Sequence, residues 1–269
     1  MISPFEAARA ADRVLRLPET VRAVDFISDL HLTEELPETF AAWERYMADT
    51  TADALFILGD LFEAWVGDDM RALPFEQRCV AIVAAAAAKR PVWVGHGNRD
   101  FMLGEAFAAA TGVRLLDDPA AVTAFGRTAV LSHGDALCID DLPYQSLRRM
   151  VRNDAWQKQM LAHPLEVRLA LASKARVASK AARDEPVTFA DADPAMAKAW
   201  LDEHGADTLI HGHTHRPRTH AHEGWTRHVL SDWDLDTPVP EARRAEVLRW
   251  TTAGFERLAP AQAGPTAAG

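Results

Sequence analysis

The sequence predicts an α/β fold, and three observations carry that prediction. Short apolar runs of strand length recur along the 269-residue chain. Segments with helical spacing separate several of them. The runs repeatedly end in aspartate, asparagine or histidine, and in open α/β sheets ligands bind beyond the carboxyl ends of strands. These polar residues are therefore expected to gather along one edge of the sheet.

Pro4–Leu17 has helical spacing, with Phe5, Ala8, Val14 and Leu17 as apolar members, and predicts a leading helix. Its apolar face is modest, so attachment to a membrane surface is the weaker reading. Ala23–Ser28 (AVDFIS) is a strand ending in Asp29-Leu30-His31. Leu36–Asp49 follows as a helix. Ala54–Leu58 (ALFIL) is a second strand, closed by Gly59-Asp60, and Arg71–Lys89 is an alanine-rich helix. Pro91–Val94 (PVWV) opens a third strand that ends in GHGNRD, and Phe101–Ala110 is helical. Arg127–Ser132 (RTAVLS) leads to His133-Gly134-Asp135. Two helical segments, LPYQSLRRMVRNDAWQKQM and PLEVRLALASKARVASKAAR, interrupt the strand rhythm and read as an inserted cap at about 141–190. Pro194–His204 is a helix expected to pack on the sheet ahead of the strand Asp207–Ile210, which runs into LIHGHTHRP. HVLSDWD and RAEVLRWTTAGFERL read as strands completing a second sheet. One domain over 1–258 is expected. The run from 259, including AQAGPTAAG, has little to bury and predicts a disordered tail at 259–269.

Composition narrows the function classes. The chain is 48% hydrophobic, enough for one substantial core. Its net charge of −10 repels a nucleic-acid backbone on average, so no nucleic-acid partner is expected. A local basic patch of Arg148, Arg149, Arg152 and Lys158 remains compatible with a phosphate-bearing substrate. Cys79 and Cys138 form no CxxC pair, which argues against a disulfide framework or a thiolate zinc site. No signal peptide or spanning segment is visible, so the cytoplasm is the expected compartment. A monomer is expected.

The residues after the strands suit metal chemistry. Asp29 and His31 share a two-residue spacing that, on extended backbone, places both side chains on one face. Asp60 follows a glycine that lets the chain turn beside a ligand. Asn98, His133, His213 and His215 complete a set of three oxygen and four imidazole donors, more than one divalent ion takes. With Asp60 bridging, one ion takes Asp29, His31, Asp60 and His215, and the other Asp60, Asn98, His133 and His213. Mixed oxygen and nitrogen donors favour manganese, iron, zinc or cobalt over calcium. Two such ions can clamp a phosphoryl group and activate water. His96 and His211 adjoin the motifs and read as supporting donors or pocket walls. Asp135 either orients a neighbouring histidine or caps a turn.

The ordered set DLH, GD, GNRD, HGD and GHTH, from Asp29 to His215, resembles the calcineurin-like metallophosphoesterases. The resemblance implies a two-sheet β-sandwich flanked by helices, with a two-metal centre on the same seven residues. GDLFEAWVGDD, GNRDF, HGDALCIDDLPYQSLR and LIHGHTHRP are similar, more narrowly, to the UDP-2,3-diacylglucosamine hydrolase family. That likeness implies a manganese-dependent enzyme of lipid A synthesis with two Mn2+ ions per chain. It also implies a cap that holds acyl chains, and a peripheral place on the cytoplasmic face of the inner membrane. Metal-activated water is then expected to attack the α-phosphate of UDP-2,3-diacylglucosamine, releasing UMP and 2,3-diacylglucosamine 1-phosphate.

Asp60, Asn98, Arg99 and His133 are the implied catalytic residues, and Asn98, Arg99, Asp141, Tyr144, Ser179, Lys180 and His213 the implied substrate contacts. Broad-range relatives carry histidine where this chain has Arg99. Arginine cannot act as a general acid at neutral pH, but its fork of donors can hold a phosphate. That suits a leaving group that is itself a phosphate monoester. The chain departs from the narrower family at AARDEPVTFADADP, where relatives continue with basic and polar residues and an IMDV-like stretch, which weakens the transfer of Ser179 and Lys180. In the cap, Leu137, Met150, Trp156, Met160, Leu161, Val167, Leu169 and Leu171 supply apolar surface, a subset of which is expected to line a lipid groove. The alternatives are a broader nucleotide pyrophosphatase or phosphodiesterase, and a metal-binding scaffold without catalysis. No expected ligand is missing, which counts against the scaffold.

Overall fold

The computed structural model describes residues 14–183 and 191–265, with backbone only for 177–183. Two six-stranded mixed sheets form the body. The first is built on β2 (Ala23–Ile27), β3 (Ala54–Leu58) and β4 (Val92–Gly95), which run parallel, with β5 (Arg114–Leu115) at one edge. At the other edge it gains an antiparallel hairpin, β11 (Val247–Thr251) and β12 (Gly254–Leu258). The second sheet has the order β1 (Val14–Arg16), β6 (Ala120–Ala124), β7 (Arg127–Ser132), β8 (Thr208–His211), β10 (Trp225–Val229) and β9 (Arg218–His222).

Alternation along the strands sorts the apolar residues into layers. Phe26, Phe56, Leu58, Trp93 and Trp250 of the first sheet meet Val122, Leu131 and Ile210 of the second in the interior between the sheets. Leu55, Ile57, Val92 and Val94 face the opposite way. They pack against α1 (Pro37–Asp49), α2 (Pro74–Ala87) and α3 (Glu105–Thr111) through Trp43, Phe75, Val83 and Phe107. Val130 and Leu209 present the outer face of the second sheet to Ala197 and Leu201 of α7 (Pro194–His204). The expected cap region holds three helices, α4 (Leu142–Val151), α5 (Asp154–Leu161) and α6 (Leu165–Arg183).

Four sequence expectations change. Val14–Arg16, the end of the predicted leading helix, is an edge strand paired in parallel with Ala121–Thr123; residues 1–13 lie outside the described residues. His228 and Val229 do enter the second sheet, but the RAEVLRWTTAGFERL hairpin extends the first. There Arg249 pairs with Asp25 (2.7 Å), an acid buried on β2 that also accepts from Thr50 and Tyr46. Arg249 reaches on to the carbonyl of Ala263 at 2.9 Å. Ala263 is fully buried in the turn Pro260–Ala263, so the chain stays packed beyond the expected start of a disordered tail, and 266–269 lie outside the described residues. Finally, Leu137 is buried against the second sheet and is no part of a cap groove.

Candidate metal centre and its surroundings

Every predicted ligand lies past a strand end, and five of the seven are not on extended backbone. Asp29, His31, Asp60, His213 and His215 all have positive φ, between 48° and 68°. Non-glycine residues pay a steric cost there, and such strain persists where surrounding contacts enforce it. The two-residue spacing therefore works through left-handed turns and not through strand alternation. Backbone bonds hold the turns: Asp29 donates to the Gly59 carbonyl (3.1 Å) and His31 to that of Asp60 (3.0 Å). The motif glycines are needed for close approach. A Cβ on Gly97 would fall 2.0 Å from Asp60 Oδ1, and one on Gly212 would fall 2.1 Å from Asp29 Oδ2.

The seven side chains converge in two overlapping corners. In the first, His31 Nε2 lies 3.3 Å from His215 Nε2 and 3.7 Å from Asp60 Oδ2, and His215 Nε2 lies 3.3 Å from Asp29 Oδ1. In the second, His133 Nε2 is 3.7 Å from Asp60 Oδ2. Asn98 Oδ1 sits between His133 Nε2 (3.0 Å) and His213 Nδ1 (2.9 Å). Asp60 contacts both corners, as a bridging ligand must. Donor atoms of Asp29, His31 and His215, and of Asp29, Asp60 and His133, each lie within 4.8 Å of one another. This hard-oxygen and imidazole donor set fits divalent transition ions.

The electrostatics match a cation site. Burial alone would raise the Asp29 carboxyl, but His215, His133 and His31 hold it far below the usual carboxylate range. Burial would lower His133, yet Asp60, Asp29 and Asp135 carry it to about 9. His213 goes the other way, to about 3, through burial and the neighbouring His133. Asp100, absent from the sequence reading, organises the floor: its buried carboxylate accepts from the backbone N–H groups of Leu61 (2.7 Å) and Gly97 (2.8 Å). The D of GNRD was its only sequence signal.

The remaining predicted residues fall around this centre. Arg99 donates its backbone N–H to Asp60 (2.8 Å), and its guanidinium lies 3.9 Å from Glu63. Its Nε is buried without a hydrogen-bond partner among the described residues. Tyr144 lies with its ring 5.8 Å from that of His213, and Asp141 caps α4 by accepting from the Tyr144 backbone (3.0 Å). The side chains of Ser179 and Lys180 lie outside the described residues. His96 contacts the Leu103 carbonyl (2.7 Å) and His211 the Gly212 carbonyl (2.9 Å), so both support loops.

Asp135 neither orients a histidine by a hydrogen bond nor merely heads a turn. Tyr144, Arg148 and Arg152 recur every four residues along one face of α4. Tyr144 Oη and Arg148 Nε donate to Asp135 Oδ2 (2.5 and 2.8 Å), and Arg152 approaches it at 3.7 Å. Arg152 also donates to the Gly97 carbonyl at 2.9 Å. The expected basic patch is thereby divided, with Arg148 and Arg152 turned inward and Arg149 exposed. Cap and metal loops are thus joined beside Asn98. A cavity of about 710 Å³ opens between α5 and the loop after Asp100, lined in part by Phe101, Met102, Leu103 and Leu161. Trp156, Met160 and Leu169 pack on the core, whereas Met150, Leu161, Val167 and Leu171 are exposed.

The family model of calcineurin-like phosphoesterases matches residues 23–217. The chain is 46% identical over 220 residues to a Chromobacterium violaceum protein named UDP-2,3-diacylglucosamine hydrolase, covering 78% of this chain and 90% of that one. Proteins of the same name match from Stenotrophomonas maltophilia (44%, covering 77% and 90%) and Ralstonia nicotianae (46%, covering 81% and 86%). Among solved structures, vacuolar protein sorting 29 from Cryptosporidium parvum aligns with a TM-score of 0.46 at 14% identity, over 88% of this chain and 96% of that one.

Proposed function

The chain belongs to the UDP-2,3-diacylglucosamine hydrolases, within the calcineurin-like phosphoesterases, and we propose that it hydrolyses UDP-2,3-diacylglucosamine to UMP and 2,3-diacylglucosamine 1-phosphate with two Mn2+ ions. Asp29, His31, Asp60 and His215 would hold one ion, and Asp60, Asn98, His133 and His213 the other. When bound, the ions supply Lewis acidity to phosphoryl oxygens and lower the pKa of water. The chain's residues do the rest. Arg99 takes a non-bridging oxygen of the pyrophosphate with its forked donors. Water adds to the α-phosphorus, and the bridging oxygen departs with the lipid phosphate. That monoester is a stable anion, so no proton donor is required at the position of Arg99. Tyr144 and Asp141, at the start of the cap, line the sugar-phosphate side, with Ser179 and Lys180 further along the cap.

The observation that carries this reading is the arginine with an unpartnered, buried Nε beside a carboxylate–imidazole centre. The lipid end is supported separately. The cavity under the cap has a mixed wall, and its apolar part, Phe101, Met102, Leu103 and Leu161, offers contact to an acyl chain beside charged groups such as Arg152 and Arg168. Among the described residues, seven of the eight exposed large apolar side chains, Ile139, Leu142, Leu147, Met150, Leu161, Val167 and Leu171, lie on or beside the cap. No helix among the described residues is long and apolar enough to cross a membrane. The enzyme would then work as a peripheral monomer on the cytoplasmic face of the inner membrane, one domain with an inserted cap.

The test is to strip the metal, add UDP-2,3-diacylglucosamine and restore manganese, following UMP and lipid phosphate together. Manganese-dependent release from this substrate but not from UDP-N-acetylglucosamine is expected. Equal cleavage of both would replace the lipid reading with a broader nucleotide pyrophosphatase, and no cleavage of either would leave the scaffold.

A further inference from the structure

Two carboxylates outside the seven ligands stand behind the imidazoles of the first corner. Glu63 Oε2 lies 3.2 Å from His31 Nδ1, and Asp232 Oδ2 lies 3.4 Å from His215 Nδ1. In both rings the far nitrogen, Nε2, points at the centre. Each carboxylate is itself held. Asp232, 5% exposed, takes both arms of Arg244, with Nε at 2.6 Å. Glu63 accepts Arg176 of α6 at 2.9 Å, with Arg99 at 3.9 Å.

Among the described residues the second corner has no such pair of carboxylates. His133 Nδ1 faces a neutral backbone carbonyl, that of Leu58, at 3.0 Å. Asp135, the nearby acid, is taken up by Tyr144 and Arg148 of the cap. The second corner's donors beyond the shared Asp60 are an amide and two imidazoles, Asn98, His133 and His213, whereas the first corner adds the carboxylate of Asp29. Carboxylates behind ligating histidines fix the ring and raise its basicity, and losing one typically costs about 10–100-fold in metal affinity.

We propose that Glu63 and Asp232 are positioning residues that make the two metal positions unequal, so that the Asp29–His31–His215 corner binds its ion first and more tightly. The guanidinium groups on Glu63 and Asp232 offset much of those acids' charge. Asp29 against Asn98 sets a difference in charge, and Glu63 and Asp232, at ion-pair distance behind their rings, add to it by orienting His31 and His215. This rests on the two-ion reading above.

The test is a Mn2+ titration of the metal-free protein by calorimetry, with bound manganese counted by electron paramagnetic resonance. No lipid is involved, so the result does not depend on the substrate. Wild type is expected to bind two ions in two resolved steps. His215→Ala should remove the tighter step and His213→Ala the weaker. Asp232→Asn and Glu63→Gln should each weaken the tighter step about 10–100-fold and leave the weaker within about threefold, a selectivity that general destabilisation would not give. Arg244→Gln, which keeps the carboxylate but loosens it, should lie between wild type and Asp232→Asn, and Glu63→Gln carries the test if the Asp232 variants do not fold. Two equal steps, or a tighter step unmoved by Asp232→Asn and Glu63→Gln, would overturn the proposal while leaving two ions in place. A total of one ion would overturn the two-ion reading with it.

Discussion

Replacing Arg168 by alanine should release the cap without unfolding the sandwich. Arg168 lies on α6 and is 3% exposed. Its guanidinium spans from cap to body, donating to the Val66 carbonyl at 2.5 Å and to both carboxylate oxygens of Asp69. The bond to the His163 carbonyl stays within the cap and does not count toward docking. The Asp69 side chain is 52% exposed, so that ion pair is screened and contributes at most about 1 kcal/mol. A charged donor to the buried Val66 carbonyl contributes about 1.5–3 kcal/mol. Together they give roughly 3 kcal/mol of docking, about a hundredfold in the opening equilibrium at 1.4 kcal/mol per factor of ten. Hydrogen exchange of the amides in 165–176 should accelerate by about that factor, and KM for the lipid substrate should rise. The core amides of β3 and β4 should keep their protection. Arg168→Lys, which keeps the charge but not the fork, should fall between. Exchange in α6 within about threefold of wild type would refute the view that this residue fastens the cap.

Other predictions concern stability and reactivity. His228 is buried against Phe255, and burial, with Arg257 and Arg127 nearby, pushes it down to about 4. Its unfolded value is near 6.5, so the unfolded chain binds the extra proton. His228 should contribute a loss of up to about 3 kcal/mol between pH 6.5 and 4 in urea titrations of the metal-free protein, and His228→Leu should remove that share of the slope. Asp68→Ala should cost about 2 kcal/mol by chemical denaturation, because Asp68 accepts from the N–H groups of Gly104 and Phe107 at the start of α3 and from the Trp65 indole. Cys79 and Cys138, both buried and pushed up to about 12, should resist iodoacetamide at pH 8 and react only in denaturant.

Much of this protein was legible in the chain itself. Apolar runs such as ALFIL and RTAVLS announced β3 and β7, because burial on both faces selects unbroken β-branched and aliphatic residues. Their polar terminators supplied the candidate ligands, because the carboxyl ends of strands are where side chains can converge on a ligand. The short polar strand Arg218–His222 was not legible, since an edge strand exposed to water needs no apolar pattern. The starts of α1 and α7 were legible to within a residue, whereas α3, expected from Phe101, begins only at Glu105. Leu36 and Gly104 offer α1 and α3 no capping side chain, and the caps come from Asp236 and Asp68, far away in sequence.

Sequence alone fixed residue types and their order: which strands exist, and that seven donors follow them. Tertiary structure decided what those donors are and what stands behind them. Left-handed turns, not extended backbone, aim Asp29, His31, Asp60, His213 and His215, because only packed neighbours can enforce that strained conformation. Glu63, Asp100 and Asp232 carried no role in the sequence reading, and Asp135 carried two alternatives, a histidine-orienting acid or a turn cap. Each acquired its role when folding removed it from water, since a buried carboxylate must find the donors that replace its hydration.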